Sequence, residues 1–514
     1  MPLPPVIMEF LAHVPKYLIS SALVASLIFT SCTEKKIEVV WDQSFPRIGS
    51  QSSPRACDLN GDDVLDVVIG AGKNEYQPSD QGILALDGKT GNIIWQSKAM
   101  DQVYGSATFL DVNTDGTKDV FIGGRSPFFV ALDGKTGELL WKFNIEEHMN
   151  DPILRHAKYN FNNSVIAEDL DGDNLPDLLT TNGGNSRAVP GSEIDREPGV
   201  LILFSSKTGK IIAADTMPDG KETYMSPIVL PGKKNEEPSI IFGTGGETLS
   251  GSLYIASMKD FIEKRLSRAV IIAEEDKHGF IAPPVAVDLN EDAHMDVVAI
   301  SHGSSIFAID VVHNTTLWKQ KIQQTESSNS FAVGYFNEDN TPDLFTFVSK
   351  GEWPNNTGTL QIMLDGKTGK LAYIDSLGCT GFSSPVIYDL NDDGVDEAIL
   401  SINEFDCARG FTAEVIPKIQ NKLIAIDFTD KRKTLLDETT SFKNIFSTPL
   451  LGDLDGDKRL DVIHCQYYSY GGLLTFLGMR VKRISLPTRV EHDVSWGAYM
   501  GSGGDGIFIN QEDR

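Results

Sequence analysis

Along most of the chain a short apolar run, a loop dense in Asp and Asn, and a second apolar run succeed one another. Five of these loops carry carboxylate or amide groups at positions 1, 3, 5 and 9. They are Asp58, Asn60, Asp62 and Asp66; Asp111, Asn113, Asp115 and Asp119; Asp169, Asp171, Asp173 and Asp177; Asp288, Asn290, Asp292 and Asp296; and Asp453, Asp455, Asp457 and Asp461. Two more are altered. One ends in Glu (Asp389, Asn391, Asp393, Glu397), and one opens on Tyr335 ahead of Asn337, Asp339 and Asp343. An eighth unit, residues 226–243, keeps the flanking apolar runs and lacks the carboxylates. The residues after the loops, such as Val67-Val68-Ile69 and Val120-Phe121-Ile122, are β-branched or aromatic, which suits strands.

The second half of each unit has its own signature. Asp87-Gly88-Lys89-Thr90-Gly91 leads to Trp95, Asp133-Gly134-Lys135-Thr136-Gly137 to Trp141, and Asp365-Gly366-Lys367-Thr368-Gly369 to Tyr373; Lys207-Thr208-Gly209 and Asp310 leading to Trp318 are weaker copies. Asp-Gly and Thr-Gly between apolar runs are hairpin chemistry, because glycine takes positive φ at little cost. Each unit therefore predicts four strands. The acidic loop joins A to B, a variable loop joins B to C, and the glycine turn joins C to D. Antiparallel four-stranded units around an axis make a propeller, and eight loop positions predict an all-β propeller of eight blades. Val39-Val40-Trp41 matches Ile93-Ile94-Trp95 and has no A, B or C strand before it, whereas the last unit, from about Ser447, has no Trp-bearing D strand. The N-terminal strand is thus predicted to complete the last blade, which removes an open sheet edge.

The acidic loops resemble FG-GAP repeats, as in the integrin α-chain propeller, and the Ala-x-Asp-x-x-Thr-Gly-x-x-x-Trp units resemble pyrroloquinoline-quinone-like propeller repeats. The resemblance spans roughly residues 37–488. It implies a propeller and calcium, and leaves the activity open, because such propellers serve many functions. The residues themselves point to the same metal. Calcium takes six to eight oxygen ligands at roughly 2.3–2.6 Å. Side-chain oxygens at positions 1, 3, 5 and 9 with a backbone carbonyl at 7 wrap one such ion, so five intact and two altered loops predict about five to seven Ca2+ sites. An EF-hand is a poor alternative, since it needs Glu at position 12 and a following helix.

The first residues differ from the rest. Residues 17–29 form an apolar run after Lys16, of signal-peptide length and too short for a membrane span. The run ends in Phe29-Thr30-Ser31-Cys32, which resembles the lipobox of bacterial lipoproteins, with Phe29 departing from the usual leucine. The expected organisation is a lipoprotein-type signal peptide over 1–31, a tether over 32–36, the propeller over 37–488 and a Gly-rich, aromatic cap or tail over 489–514. Cys32 is then the lipidated residue, and the protein sits in the cell envelope, held to the outer membrane on its periplasmic or surface side by the lipid. In that oxidising compartment a disulfide is expected between Cys379 and Cys407. With Asp389 and Glu397 as end partners of an unbulged antiparallel pair, these two cysteines fall opposite one another. The absence of any Cys-x-x-Cys argues against a zinc ribbon or a thiol redox site.

Charge narrows the partners. With 45 Lys and Arg against 72 Asp and Glu the formal net charge is −27, which disfavours nucleic acid and anionic lipid surfaces. The chain has no Gly-x-Ser-x-Gly, His-Glu-x-x-His or P-loop, and its nine histidines are scattered. Binding, adhesion or scaffolding of a protein or glycan partner is therefore favoured over catalysis. The alternative is a propeller enzyme such as a polysaccharide lyase or a quinoprotein-like dehydrogenase. In a four-stranded meander the acidic loops and glycine turns share one face. The other face carries the varied loops, expected at 73–81, 183–198, 349–358, 403–420 and 465–471. Function concentrates on such loops. Tyr104, Phe161, Tyr224, Phe280, Phe382 and Phe446, each ahead of an A strand, are expected there as an aromatic ring around the channel mouth, which either packs between blades or serves as a stacking platform for a sugar or peptide.

Overall fold

A computed structural model describes residues 36–232, 236–352, 355–407, 419–469 and 475–509. Strands pair only within eight separate antiparallel sheets, the blades of a propeller. Blade 1 runs A (Arg55–Cys57), B (Asp66–Gly70), C (Ser79–Leu86) and D (Ile93–Ala99). Blades 2 to 7 follow in chain order over 108–142, 160–216, 228–275, 285–321, 325–375 and 386–440. In blades 3 and 6 the innermost strand is interrupted, and both pieces pair with B. Blade 8 contributes A (Leu450–Gly452), B (Arg459–Tyr468) and C (Gly478–Arg489), and its D strand is Glu38–Pro46 from the N-terminus. The ring closes as the strand pattern predicts.

Every blade has the same irregularity. The C–D register shifts by one residue, as between Ala85↔Trp95 and Leu86↔Ile93, and equivalent shifts occur in the other seven blades. A bulge re-aims a side chain and sharpens twist. Here it turns the following aromatic toward the next blade. The indole N–H groups of Trp41, Trp95, Trp141 and Trp318 donate to the carbonyls of Gly88, Gly134, Ser206 and Gly366 at 2.7–2.8 Å, each in the glycine turn of the neighbour. The close approach explains the last glycine of the turn: a Cβ at Gly91 would lie 2.6 Å from the Trp41 ring, and its φ is +70°. Where the residue after the bulge is Ala213, in blade 3, the neighbouring C–D connection is a short helix (Met258–Ile262) whose Phe261, with Leu266 beyond it, is buried.

Around the axis the residues just before the A strands form a hydrogen-bonded hoop. Ser52 donates to Gly105 O (2.7 Å), Ser106 N–H to Asn163 (2.7 Å), Asn163 N–H to Ser226 (3.2 Å), Ser330 to Pro283 O (2.8 Å), Ser330 N–H to Ser384 (3.1 Å), Ser384 N–H to Thr448 (2.9 Å) and Thr448 N–H to Ser53 (3.0 Å). The step from blade 4 to blade 5 carries Pro283-Pro284, which have no hydroxyl to offer.

The segment after Arg489, expected as a cap or tail, runs into the channel. Ile387 N–H donates to Trp496 O, Leu451 N–H to Gly497 O, and Ala286 N–H to Gly506 O, all from A strands. Arg55 of the first A strand donates to the carbonyls of Tyr499 and Gly501. Trp496, Ala498, Met500 and Phe508 are buried. The chain thus packs its own axis.

Two expectations are corrected. The varied loops are shorter than the composition suggests, because Ser79–Leu86, Asp343–Lys350, Glu397–Glu404 and Arg459–Tyr468 carry the strands into them. And Tyr388, not Asp389, faces Glu397, on an A strand only three residues long. Cys379 and Cys407 do not meet on a continuous ladder. Cys379 N–H instead reaches Asn403 O (2.8 Å), past the end of the paired register, and the chain turns back after Glu404. The sulfurs are bonded, with the Cα atoms 5.1 Å apart. Cys32 and the leader lie outside the described residues.

Candidate functional site

The acidic loops are shaped by their own backbone. In the first, Asp58 accepts from the N–H groups of Gly61 and Asp63, Asp62 from that of Val64, and Asp66 from that of Leu59. Asp169, Asp389 and Asp453 repeat the first set of contacts, and Asp115, Asp173, Asp292, Asp339, Asp393 and Asp457 repeat the second. Position 9 starts strand B in all but the last loop, where Asp461 is its third residue, and is buried in every one. Its carboxylate ties the loop to the glycine turn: Gly88 N–H donates to Asp66 (2.8 Å), Gly134 N–H to Asp119 (3.1 Å), Gly366 N–H to Asp343 (3.0 Å). The amides of Asn60, Asn113 and Asn391 bridge the position-9 carboxylate to Asp87, Asp133 and Asp427 of the turns.

This arrangement leaves negative charge unbalanced. Burial pushes the position-9 acids up: Asp177 to about 6, Asp296 and Asp343 to about 7 and Glu397 to about 8, with Asp66, Asp119 and Asp461 raised as well. Oδ1 of Asp111, Asp177 and Asp461 and Oδ2 of Asp343 are buried without a hydrogen-bond partner among the described residues. Buried carboxylate oxygens without a donor are costly, and a hard cation satisfies them. Oxygens of Asp169, Asp171 and Asp177 lie within 4.8 Å of one another, as do those of Asp453, Asp455 and Asp461. A third such group was not legible in the loop spacing: Asp292 lies with Asp310 and His313 of the adjoining turn. The loop of blade 6 lacks a first carboxylate because Tyr335 stands there, and the Tyr335 N–H donates to Asp396 of blade 7 (2.9 Å).

The opposite face is built differently. Tyr76, in the B–C loop of blade 1, donates to or accepts from Ser186 of blade 3 (2.7 Å), and the Arg187 guanidinium lies 3.6 Å over its ring. Arg125 of blade 2 pairs with Glu75 and reaches Ser186, and Gly191 N–H donates to Thr248 of blade 4. Four blades thus interlock through their B–C loops. At the exposed crest stand Val189 and Ile194, 69% and 74% exposed. The predicted aromatic ring divides. Phe161 and Phe280 are fully buried, Phe161 stacked on Phe129, and belong to the core between blades. Tyr104, Tyr224, Phe382 and Phe446 are half-buried, Tyr104 beneath Arg125 and Phe382 stacked on Phe446. A cleft of about 440 Å³ lies where blade 8 meets blade 1, lined by Arg47, Lys73, Asn74, Gln77, Gln81 and Phe476 among others.

Histidines are not all on the surface. His464 is buried between blades 7 and 8, 3.3 Å from Ser401 Oγ and 3.6 Å from Asp437. The order resembles a nucleophile, base and acid, but Ser401 is itself sealed in the interface. The group works as a buried polar joint, with Lys482 donating to Asp437 at 2.8 Å and holding its carboxyl down at about 2 together with His464.

Comparison with known proteins fits this architecture. A family model described as the outer membrane protein assembly factor BamB matches residues 77–236. That stretch runs from the third strand of blade 1 into blade 4 and holds the first two Asp-Gly-Lys-Thr-Gly turns. No curated protein sequence matches the chain. Among solved structures, a europium-containing methanol dehydrogenase superposes with a TM-score of 0.58 at 11% identity, over 88% of this chain and 93% of that one. Sqt1 of Saccharomyces cerevisiae gives 0.50 at 8% identity, over 88% and 100%. BamB of Moraxella catarrhalis gives 0.46 at 11%, over 89% and 99%. At such identities the likeness is one of fold.

Proposed function

We propose that the chain is a calcium-stabilised, lipid-anchored propeller of the cell envelope that holds a partner protein on the face of its B–C and D–A loops. The observation that carries this reading is the interlocked wall of B–C loops from blades 1 to 4, with Val189 and Ile194 exposed at its crest. Large exposed apolar side chains on a rigid scaffold mark interaction surfaces. The channel, the largest concavity that a ring of blades creates, is filled by residues 496–508, which leaves the loops as the surface on offer. The match to a family described as an outer membrane protein assembly factor supports a protein partner in the envelope. On the other face the FG-GAP-like loops supply the ligands: Asp58, Asp111, Asp169, Asp288 and Asp389 at position 1 with their partners at positions 3, 5 and 9 would hold calcium. The bound ion would balance the buried acids.

Photo-crosslinkers at positions 189 and 194 in the native envelope should capture one protein. Val189→Asp with Ile194→Asp should abolish that capture and leave folding intact. Crosslinks arising only from the acidic-loop face, at Lys89 or Lys135, would place the partner on the other side and overturn this assignment. A glycan is the second reading, favoured by the cleft that joins Arg47 and Lys73 to Asn74, Gln77, Gln81 and the Phe476 ring. Saturable binding of an acidic oligosaccharide that Arg47→Ala abolishes would favour it.

A further inference from the structure

Loops 3 and 8 are chemical twins. Each has Asp at positions 1, 3, 5 and 9, and each brings three of those carboxylates within 4.8 Å. They differ in one neighbour. In loop 8 the Arg483 guanidinium, only 1% exposed, lies between the carboxylates, its Nη2 at 2.5 Å from Asp455 and 2.7 Å from Asp461. No basic side chain pairs with Asp169, Asp171, Asp173 or Asp177 among the described residues. The strand register shows how unusual this is. Arg483 faces Ile463 and Trp41. The matching residue is Ala85 in blade 1, Ala131 in blade 2 and Ala308 in blade 5, each opposite the tryptophan of its own D strand. Blade 8 has no C–D turn, because its D strand comes from the N-terminus, and so no turn aspartate or turn N–H to meet the loop. The arginine fills that gap. Its Nη1 also donates to Gly88 O (2.8 Å), the carbonyl that Trp41 uses, and so fastens loop 8 to the first turn of blade 1.

We propose that Arg483 is a built-in cation that replaces calcium in the eighth acidic loop, so that the seam between blades 8 and 1 closes without metal. A guanidinium shared by two carboxylates takes one oxygen of each, Asp455 Oδ2 and Asp461 Oδ2, and its charge repels a divalent ion. This rests on the calcium reading of the other loops, and the chain then binds one ion fewer than its carboxylate loops suggest.

Calcium stoichiometry by equilibrium dialysis tests it on the full chain. Asp453 does not bond to Arg483, so Asp453→Ala leaves the clasp in place. The count should fall by one in Asp169→Ala and stay unchanged in Asp453→Ala. It should rise by one in Arg483→Met, where hydrogen-exchange protection of residues 38–46 should also become calcium-dependent. A site lost in Asp453→Ala, or none gained in a folded Arg483→Met, overturns the proposal and leaves calcium in the other loops standing. No calcium on the unaltered protein sinks the underlying reading and this inference with it.

Discussion

On the acidic face the same hydrogen bonds recur blade after blade: position 1 caps the loop, position 5 holds position 7, and position 9 reaches across to the glycine turn. On the opposite face no such rule repeats. Tyr76 meets Ser186, Gly191 meets Thr248, and Cys379 is joined to Cys407. The first face repeats one hydrogen-bonded device seven times with variations. The second is a single irregular surface held up by it. The difference separates changes that alter melting from changes that alter recognition.

The strongest way to break that division is to remove the proposed calcium. A chelator should lower the melting temperature more than any single substitution, because each ligand held only by the folded state adds about 2.7 kcal/mol at a hundredfold excess over Kd. The effect depends on pH with a definite sign. The acids at Asp177, Asp296, Asp343 and Glu397 titrate at about 6, 7, 7 and 8 in the metal-free fold, above their unfolded values. Metal-free protein therefore loses stability as pH rises from about 4 toward 8. Calcium needs these groups deprotonated, so the gap between loaded and chelated melting curves should widen from pH 5 to pH 8. A gap that narrows would contradict the assignment.

Next comes Trp95→Ala. It removes a buried indole and its bond to Gly134 O, and should cost about 3–5 kcal/mol in denaturant titration, with calcium still bound in loop 1. Replacing Cys379 and Cys407 with serine should cost somewhat less, about 2–4 kcal/mol, seen as faster hydrogen exchange near residues 379–407. The smallest effect belongs to the exposed crest. Val189→Asp with Ile194→Asp should move stability by less than about 0.5 kcal/mol per substitution while removing partner capture. A large loss of stability there would mean that the crest is core.

The eight blades, the strand order within each and the borrowed D strand were all legible, because each depends on local chemistry that recurs: a carboxylate loop, a glycine turn, a tryptophan. The register near Cys379 was not, since a three-residue A strand leaves the preceding chain free to depart from the ladder. Phe161 and Phe280 look like Tyr104 and Tyr224 in spacing, and only the packing of adjacent blades decides which rings meet solvent. The hoop left a faint trace in Ser53-Pro54, Ser226-Pro227, Ser384-Pro385 and Thr448-Pro449, each just ahead of an A strand. His313 and Arg483 left none. A lone histidine directly after a valine pair and one arginine among the four basic residues of 478–489 acquire their partners only through the neighbouring turn and loop.

The borrowed strand also orders events in time. Residues 38–46 leave the ribosome among the first of the propeller, yet residues 478–489, with which they pair, are made after every other blade strand. Seven blades can stack as they emerge, blades 1, 2 and 5 docking an indole on the next, while the first strand waits with Val39 and Val40 bare on its surface. The ring cannot lock until that strand returns, and the channel cannot fill until residues 496–508 arrive later still. Contacts across more than 400 positions should make this closure the slow step.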